Sequence, residues 1–154
     1  MSEANGKIPT SPEQLPQLLL NSQLCFPLYA ASRKVVNRYT PYFKQLGITY
    51  TQYIVFLVLW EAGSATVGDL CRRLYLDNGT ITPLLKKMEG SGFITRSRSK
   101  QDERVVTLQL TEAGWNLRQK VREIPGLVGS CIPLTAEEAA TLYGILYKIL
   151  KDME

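Results

Sequence analysis

The chain has 154 residues, a net charge of +4 from 18 Lys and Arg against 14 Asp and Glu, three cysteines and no histidine. That length predicts one compact domain with a real core, and a sequence pI of about 9.0 suits a polyanionic partner without requiring one. The missing histidine excludes His-assisted nucleophiles, most zinc sites and imidazole acid–base chemistry, and no glycine-rich phosphate loop is present, so no cofactor and no metal are expected. Three cysteines fit a cytosolic thiol protein better than a disulfide framework. No signal peptide or membrane-spanning run is recognisable, so a cytoplasmic protein without a membrane partner is expected.

In chain order, residues 1–20 form a loose arm containing Gly6, Pro9, Pro12 and Pro16. Asn21–Leu46 reads as a long helix with a bend at Pro41. Pro27 is tolerated only in a first helical turn, which places the helix start, or a bend, close to Cys25. The apolar run Tyr53–Trp60 predicts a buried helix capped by Thr49 or Thr51. Thr66–Leu74 follows, with Val67, Leu70, Cys71 and Leu74 on one helical face, and Cys71 is read as core filling. After a turn at Tyr75–Asn78, Thr80–Met88 predicts a second short helix with Ile81, Leu84, Leu85 and Met88 buried. Thr80, Thr82, Lys86 and Lys87 face outward.

Gly90-Ser-Gly92 ends that helix, and Phe93–Ser99 and Val105–Leu110 alternate as two strands around the tip Lys100–Arg104. Arg96, Arg98, Lys100 and Arg104 make this hairpin cationic against only Asp102 and Glu103, and Arg96, Arg98 and Lys100 are read as DNA-binding residues. Helix, turn, helix and wing is the order of a winged-helix DNA-binding module. The fold expected is therefore mainly α with a small β-hairpin wing.

Thr111–Trp115 opens a further helix towards Glu123, Pro125 and Gly126 interrupt it, and Leu127–Cys131 resumes it. A capping box at Thr135 and Glu138 starts the last helix, with Ala139, Leu142, Ile145, Leu146, Ile149 and Leu150 at helical spacing. These flanking stripes exceed what one small winged helix can cover. Residues 21–48 and 111–154 are accordingly read as a helical dimerisation region around a DNA-binding region at 49–110. A homodimer would read a pseudo-palindromic duplex in paired half-sites.

The stretch Asp102-Glu-Arg104, Val105–Gln109 and Leu110-Thr-Glu-Ala-Gly114 resembles the D-x-R-x-x-x-x-x-L-T-x-x-G signature of MarR-type repressors. Leu24–Ser32, Tyr39 and Leu46–Tyr53 narrow the match to the organic hydroperoxide regulators, and Leu76–Leu85 is similar to their recognition helix. The resemblance covers roughly residues 20–150. It implies a repressor whose recognition helix enters the major groove, with Thr80, Thr82, Lys86 and Lys87 near bases or phosphates. Arg104 would reach into the minor groove braced by Asp102, where a narrow groove concentrates negative potential.

The resemblance also implies that Cys25 is the redox sensor, held by Tyr39 and Tyr50 of the partner subunit. Tyr29 lies one turn further along its own helix. Organic hydroperoxide would be the oxidant, and Cys131 matches the resolving cysteine of a two-cysteine branch, which implies an intersubunit disulfide. Two other readings stay open: a MarR-type regulator released by a small aromatic anion, and a thiol peroxidase. The second is disfavoured because no Thr-x-x-Cys precedes Cys25, where positions 22–24 are Ser, Gln and Leu. The expectation is a protein that is not an enzyme.

Overall fold

A computed structural model describes residues 15–98 and 105–152. The expected arm up to residue 14 and the wing tip, with Lys100, Asp102 and Arg104, lie outside the described residues. The chain forms two compact units, residues 1–37 and 38–154.

In the first unit, two short 3-10 turns, Pro16–Leu18 and Leu20–Ser22, precede helix α1, Cys25–Gln45, whose residues from Arg38 onward belong to the second unit. Gln23 ties the turns together by donating from Nε2 to the Gln17 carbonyl at 2.6 Å. The helix therefore begins four residues later than its apolar pattern suggests. Pro27 stands in its first turn, where a missing N–H costs nothing because no intrahelical acceptor is available. Pro41 is carried inside the helix without ending it.

The second unit is built around α2, Tyr50–Ala62. Thr49, not Thr51, caps it: the Thr49 hydroxyl accepts from the Gln52 amide, and Gln52 Oε1 accepts from the Thr49 amide at 2.8 Å. This reciprocal pair satisfies Gln52, the buried polar residue of the core. Val55, Phe56 and Leu59 of α2 are fully buried. Gly63, with φ of 75°, closes the helix.

The sheet differs from the expected hairpin. A strand β1, Ser64–Thr66, joins β2, Ile94–Arg98, and β3, Val106–Leu110, in a three-stranded antiparallel sheet of order β1-β3-β2. Three residues of β1 are too few to show period-2 alternation. Its pairing with Gln109, Leu108 and Thr107 is a long-range event.

Between β1 and β2 lie α3, Val67–Leu74, and α4, Asn78–Gly90. A capping box of Thr66 and Asp69 starts α3, and Tyr75 in the left-handed region ends it. Leu70, Ile81, Leu85 and Met88 are buried as expected, whereas Val67, Leu74 and Leu84 are only half-buried. Cys71 corrects its reading as core filling: it is half-buried, and its thiol donates to Asn78 Oδ1 at 3.5 Å. The position falls at the rim of the apolar face.

Thr111 caps α5, Glu112–Val121. Thr111 also donates from its hydroxyl to the Gly92 carbonyl at 2.6 Å and from its amide to the Phe93 carbonyl at 3.0 Å. A Cβ at Gly114 would collide with that Phe93 carbonyl oxygen, so only glycine allows the approach. Trp60 Nε1 donates to the Gly114 carbonyl at 3.0 Å and ties α2 to α5. Pro125 does not interrupt a helix. It stands in the first turn of a separate α6, Ile124–Gly129, and Cys131 falls just beyond that helix rather than inside it. The last helix, α7, spans Ala136–Asp152, with the Thr135–Glu138 capping box in place and no buried residue.

Candidate nucleic-acid interface and thiol sites

The outward face of α4 starts at its cap. Asp77 accepts from the Thr80 amide and from the Thr80 hydroxyl, both at 2.8 Å. Those two hydrogen bonds hold the Asp77 carboxyl below the usual carboxylate range. The Thr80 hydrogen is thereby committed to Asp77, which leaves the exposed hydroxyl as an acceptor for an incoming donor. Lys86 and Lys87 are exposed, and Thr82 is half-buried. Asn78, Gly79 and Pro83 share the exposed surface with Thr80. Sequence reading missed Asp77, although an Asp three residues before Thr80 was a visible capping signal.

On the wing, Arg98 is exposed. Arg96 turns instead to the inner face of β2, where its Nη1 lies 3.6 Å from Glu89 Oε2 of α4. Glu89 was not singled out from the sequence. Its signal was its place on the α4 turn that leads into β2.

Cys25 is the first residue of α1 and is exposed. Tyr29, one turn on, is also exposed; its hydroxyl accepts from Arg33 Nη1 at 3.2 Å, and that guanidinium lies 5.3 Å from the ring centroid. Arg33 was missed, although Tyr and Arg at i and i+4 commonly meet on a helix. In the second unit, Tyr39 and Tyr50 come together, with ring centroids 5.1 Å apart. Tyr53, not anticipated as part of this group, lies tilted against both, and the Phe43 ring centroid is 4.9 Å from that of Tyr53.

Burial raises the phenol of Tyr39, with its neighbour Tyr50 adding to the effect, and burial raises Tyr50. Burial with repulsion from Tyr39 and Tyr50 pushes Tyr53 up to about 12. All three phenols therefore keep their protons at neutral pH and remain hydrogen-bond donors. Cys131 is exposed, and its thiol donates to the Leu127 carbonyl at 3.4 Å.

Among the described residues no three Cys, Asp or Glu gather into a metal-binding group, and no helix is long and apolar enough to cross a membrane. A surface cavity of about 370 Å³ opens among Gln45, Leu46, Phe93, Asn116, Leu117 and Lys120.

Two helices joined by a tight turn, followed by a strand pair and backed by α2, define a winged-helix regulator. Residues 38–121 match the transcriptional regulator SarA/Rot family. The organic hydroperoxide resistance transcriptional regulator of Bacillus subtilis (strain 168) is 45% identical over 134 residues, 87% of this chain and 91% of that protein. AbfR of Staphylococcus epidermidis has been solved in several states. Its reduced form bound to DNA matches with a TM-score of 0.75 at 37% identity over 90% of this chain and 96% of that one. Its disulfide form matches with 0.65 at 36% identity over 90% and 94%. A mutant of Escherichia coli MarR complexed with operator DNA matches with 0.73 at 26% identity over 89% and 99%. The chain belongs to the MarR-type winged-helix transcriptional regulators, in the branch of the organic hydroperoxide resistance regulators.

Proposed function

We propose that this regulator is a homodimeric repressor that binds pseudo-palindromic duplex DNA and releases it when organic hydroperoxide oxidises Cys25. The observation that carries the reading is an exposed cysteine at the first residue of α1, in a chain closely related to a hydroperoxide resistance regulator. Unpaired N–H groups at a helix start stabilise an anion. Tyr39 and Tyr50 of the partner subunit, protonated at neutral pH, would donate hydrogen bonds to it. Solved AbfR, reduced on DNA and in a disulfide form, supports a redox switch of this kind.

In the proposed chemistry the Cys25 thiolate attacks the terminal peroxide oxygen. The O–O bond breaks, and the leaving alkoxide takes a proton to become an alcohol. Cys25 becomes a sulfenic acid. Cys131 of the partner subunit, as thiolate, then attacks that sulfur and expels hydroxide, which leaves as water after protonation. The disulfide needs the two Cα atoms within about 7 Å, and its closure would move α1 and the segment just beyond α6 that carry them. That movement would shift the two reading heads out of register with the duplex. Thr80, Thr82, Lys86 and Lys87 of α4 and Arg98, Lys100 and Arg104 of the wing would contact DNA, with Asp102 bracing Arg104. The apolar face of α7, exposed in the single chain, supports the dimer.

The test is binding to duplex DNA from upstream of its own gene, before and after one equivalent of cumene hydroperoxide, with the same samples run on a non-reducing gel. Loss of binding, a crosslinked dimer that requires both Cys25 and Cys131, and recovery with dithiothreitol are expected. Unchanged binding by protein whose Cys25 is shown to be oxidised would sink the redox switch. A second reading rests on the cavity between Leu46 and Lys120, which is of a size to take a small aromatic anion. A ligand-released protein would keep its response in Cys25→Ser, and the redox switch would not.

A further inference from the structure

We infer that Arg96 is a positioning residue that locks the wing to the recognition helix through Glu89, and that it is not a phosphate contact. The inference rests on the DNA-binding reading of α4 and the wing, and deepens it.

Strand β2 alternates: Ile94 is buried, Thr95 is exposed, Arg96 is half-buried and Ser97 is exposed. Ile94 and Arg96 therefore share the inward face. Directly across the sheet from Arg96 stands Leu108, which is fully buried. Only 23% of the Arg96 side chain is accessible, and its Nε atom is buried without a hydrogen-bond partner among the described residues. A guanidinium held in this way presents less to a phosphate than that of the exposed Arg98. Its ion-pair partner among the described residues is Glu89, at 3.6 Å.

Glu89 stands in the last turn of α4, the end of a helix where a carboxylate is disfavoured by the backbone carbonyls. A cation placed there offsets both the carboxylate and the helix end. The pair thus bridges the two elements that a duplex would meet, at the point where α4 turns into β2 through Gly92, with φ of 76°. Thr80 lies nine residues upstream, about 13 Å along the helix at 1.5 Å per residue. A tilt of about 10° at the Glu89 end would move Thr80 by about 2 Å. That exceeds the tolerance of a hydrogen bond.

The alternative makes the opposite prediction in sign. If Arg96 touched phosphate and Glu89 were only a nearby anion, Glu89→Gln would leave binding unchanged or strengthen it. As a positioning pair, Glu89→Gln weakens binding. The experiment uses the full chain, reduced, with a fluorescein-labelled duplex from upstream of its own gene, titrated at several salt concentrations. Glu89→Gln and Arg96→Gln are each expected to weaken binding about tenfold, with the double variant no weaker than the worse single. The slope of log K against log salt should stay that of the parent chain.

Hydrogen exchange without DNA should quicken at the amides of residues 91–98 in both variants. This readout needs no binding, so a chain that failed to bind the duplex would still test the pair. The inference is overturned by unchanged or tighter binding of Glu89→Gln, by additive losses, by a salt slope lowered by about one unit in Arg96→Gln, or by unchanged exchange. If Arg96→Gln fails to fold, the exposed Glu89→Gln decides alone, by the sign of its effect and by its exchange.

Discussion

Helices α4 and α7 carry apolar stripes of the same period and meet opposite fates. In α4 the stripe of Ile81, Leu85 and Met88 is at most 1% exposed, because α3, β2 and α2 cover it. In α7 the stripe of Leu142, Ile145, Leu146 and Leu150 stays between 36% and 53% exposed. Burying such side chains is worth about 1.5–3 kcal/mol each, so α7 leaves a large favourable term unrealised in the single chain. Periodicity shows that a face needs a partner. It does not show whether the same chain supplies it.

The sharpest way to break this contrast is to mutate each stripe. Leu142→Glu with Ile145→Glu should weaken self-association by more than about a hundredfold, since two contacts of about 1.5–3 kcal/mol are lost. Sedimentation equilibrium measures this. Unchanged association would place the partner surface elsewhere. Leu85→Ala removes a fully buried side chain from the reading head and should cost about 2–5 kcal/mol by denaturant unfolding. Its loss should appear at every protein concentration, whereas that of Ile145→Ala should shrink on dilution.

A smaller effect is expected at the caps. Thr66→Ala removes the hydroxyl that accepts from the Asp69 amide at 3.1 Å, and should cost about 1 kcal/mol in thermal unfolding. The reading head also carries a pH signature that α4 and α3 share. Asp77 and Asp69 are held below their ordinary value of 3.8, in each case first by the hydroxyl of the neighbouring threonine. A carboxyl depressed in the folded state adds stability above its unfolded pKa and loses it as pH falls through the folded value. The thermal midpoint should therefore decline below about pH 4, and Asp77→Asn, which keeps a capping oxygen but cannot titrate, should flatten part of that decline. Equal declines in both proteins would remove Asp77 as a contributor.

Much of the reading head is legible from local signals. The buried set Leu70, Ile81, Leu85 and Met88 follows from helical spacing, and Thr49 with Gln52 and Thr135 with Glu138 spell out capping boxes. Other features were legible but not read. Asp77 lies three residues before Thr80, and Arg96 lies two residues after Ile94, which already puts it on the inward face of β2. Neither Tyr53 beside Tyr39 nor the hydrogen bond of the half-buried Cys71 to Asn78 had any local signal, since both depend on how separate helices meet.

What the amino-acid order determined by itself is whatever a few adjacent residues decide: helix periods, caps, the glycine turn before the wing and the placing of Cys25 near a helix start. The tertiary structure decided the rest. It recruited Ser64–Thr66 as a third strand, required glycine at position 114 and turned Arg96 towards Glu89. Each of those depends on a group brought in from elsewhere in the chain. Spacing along a helix or strand encodes a face, and only packing determines what that face meets.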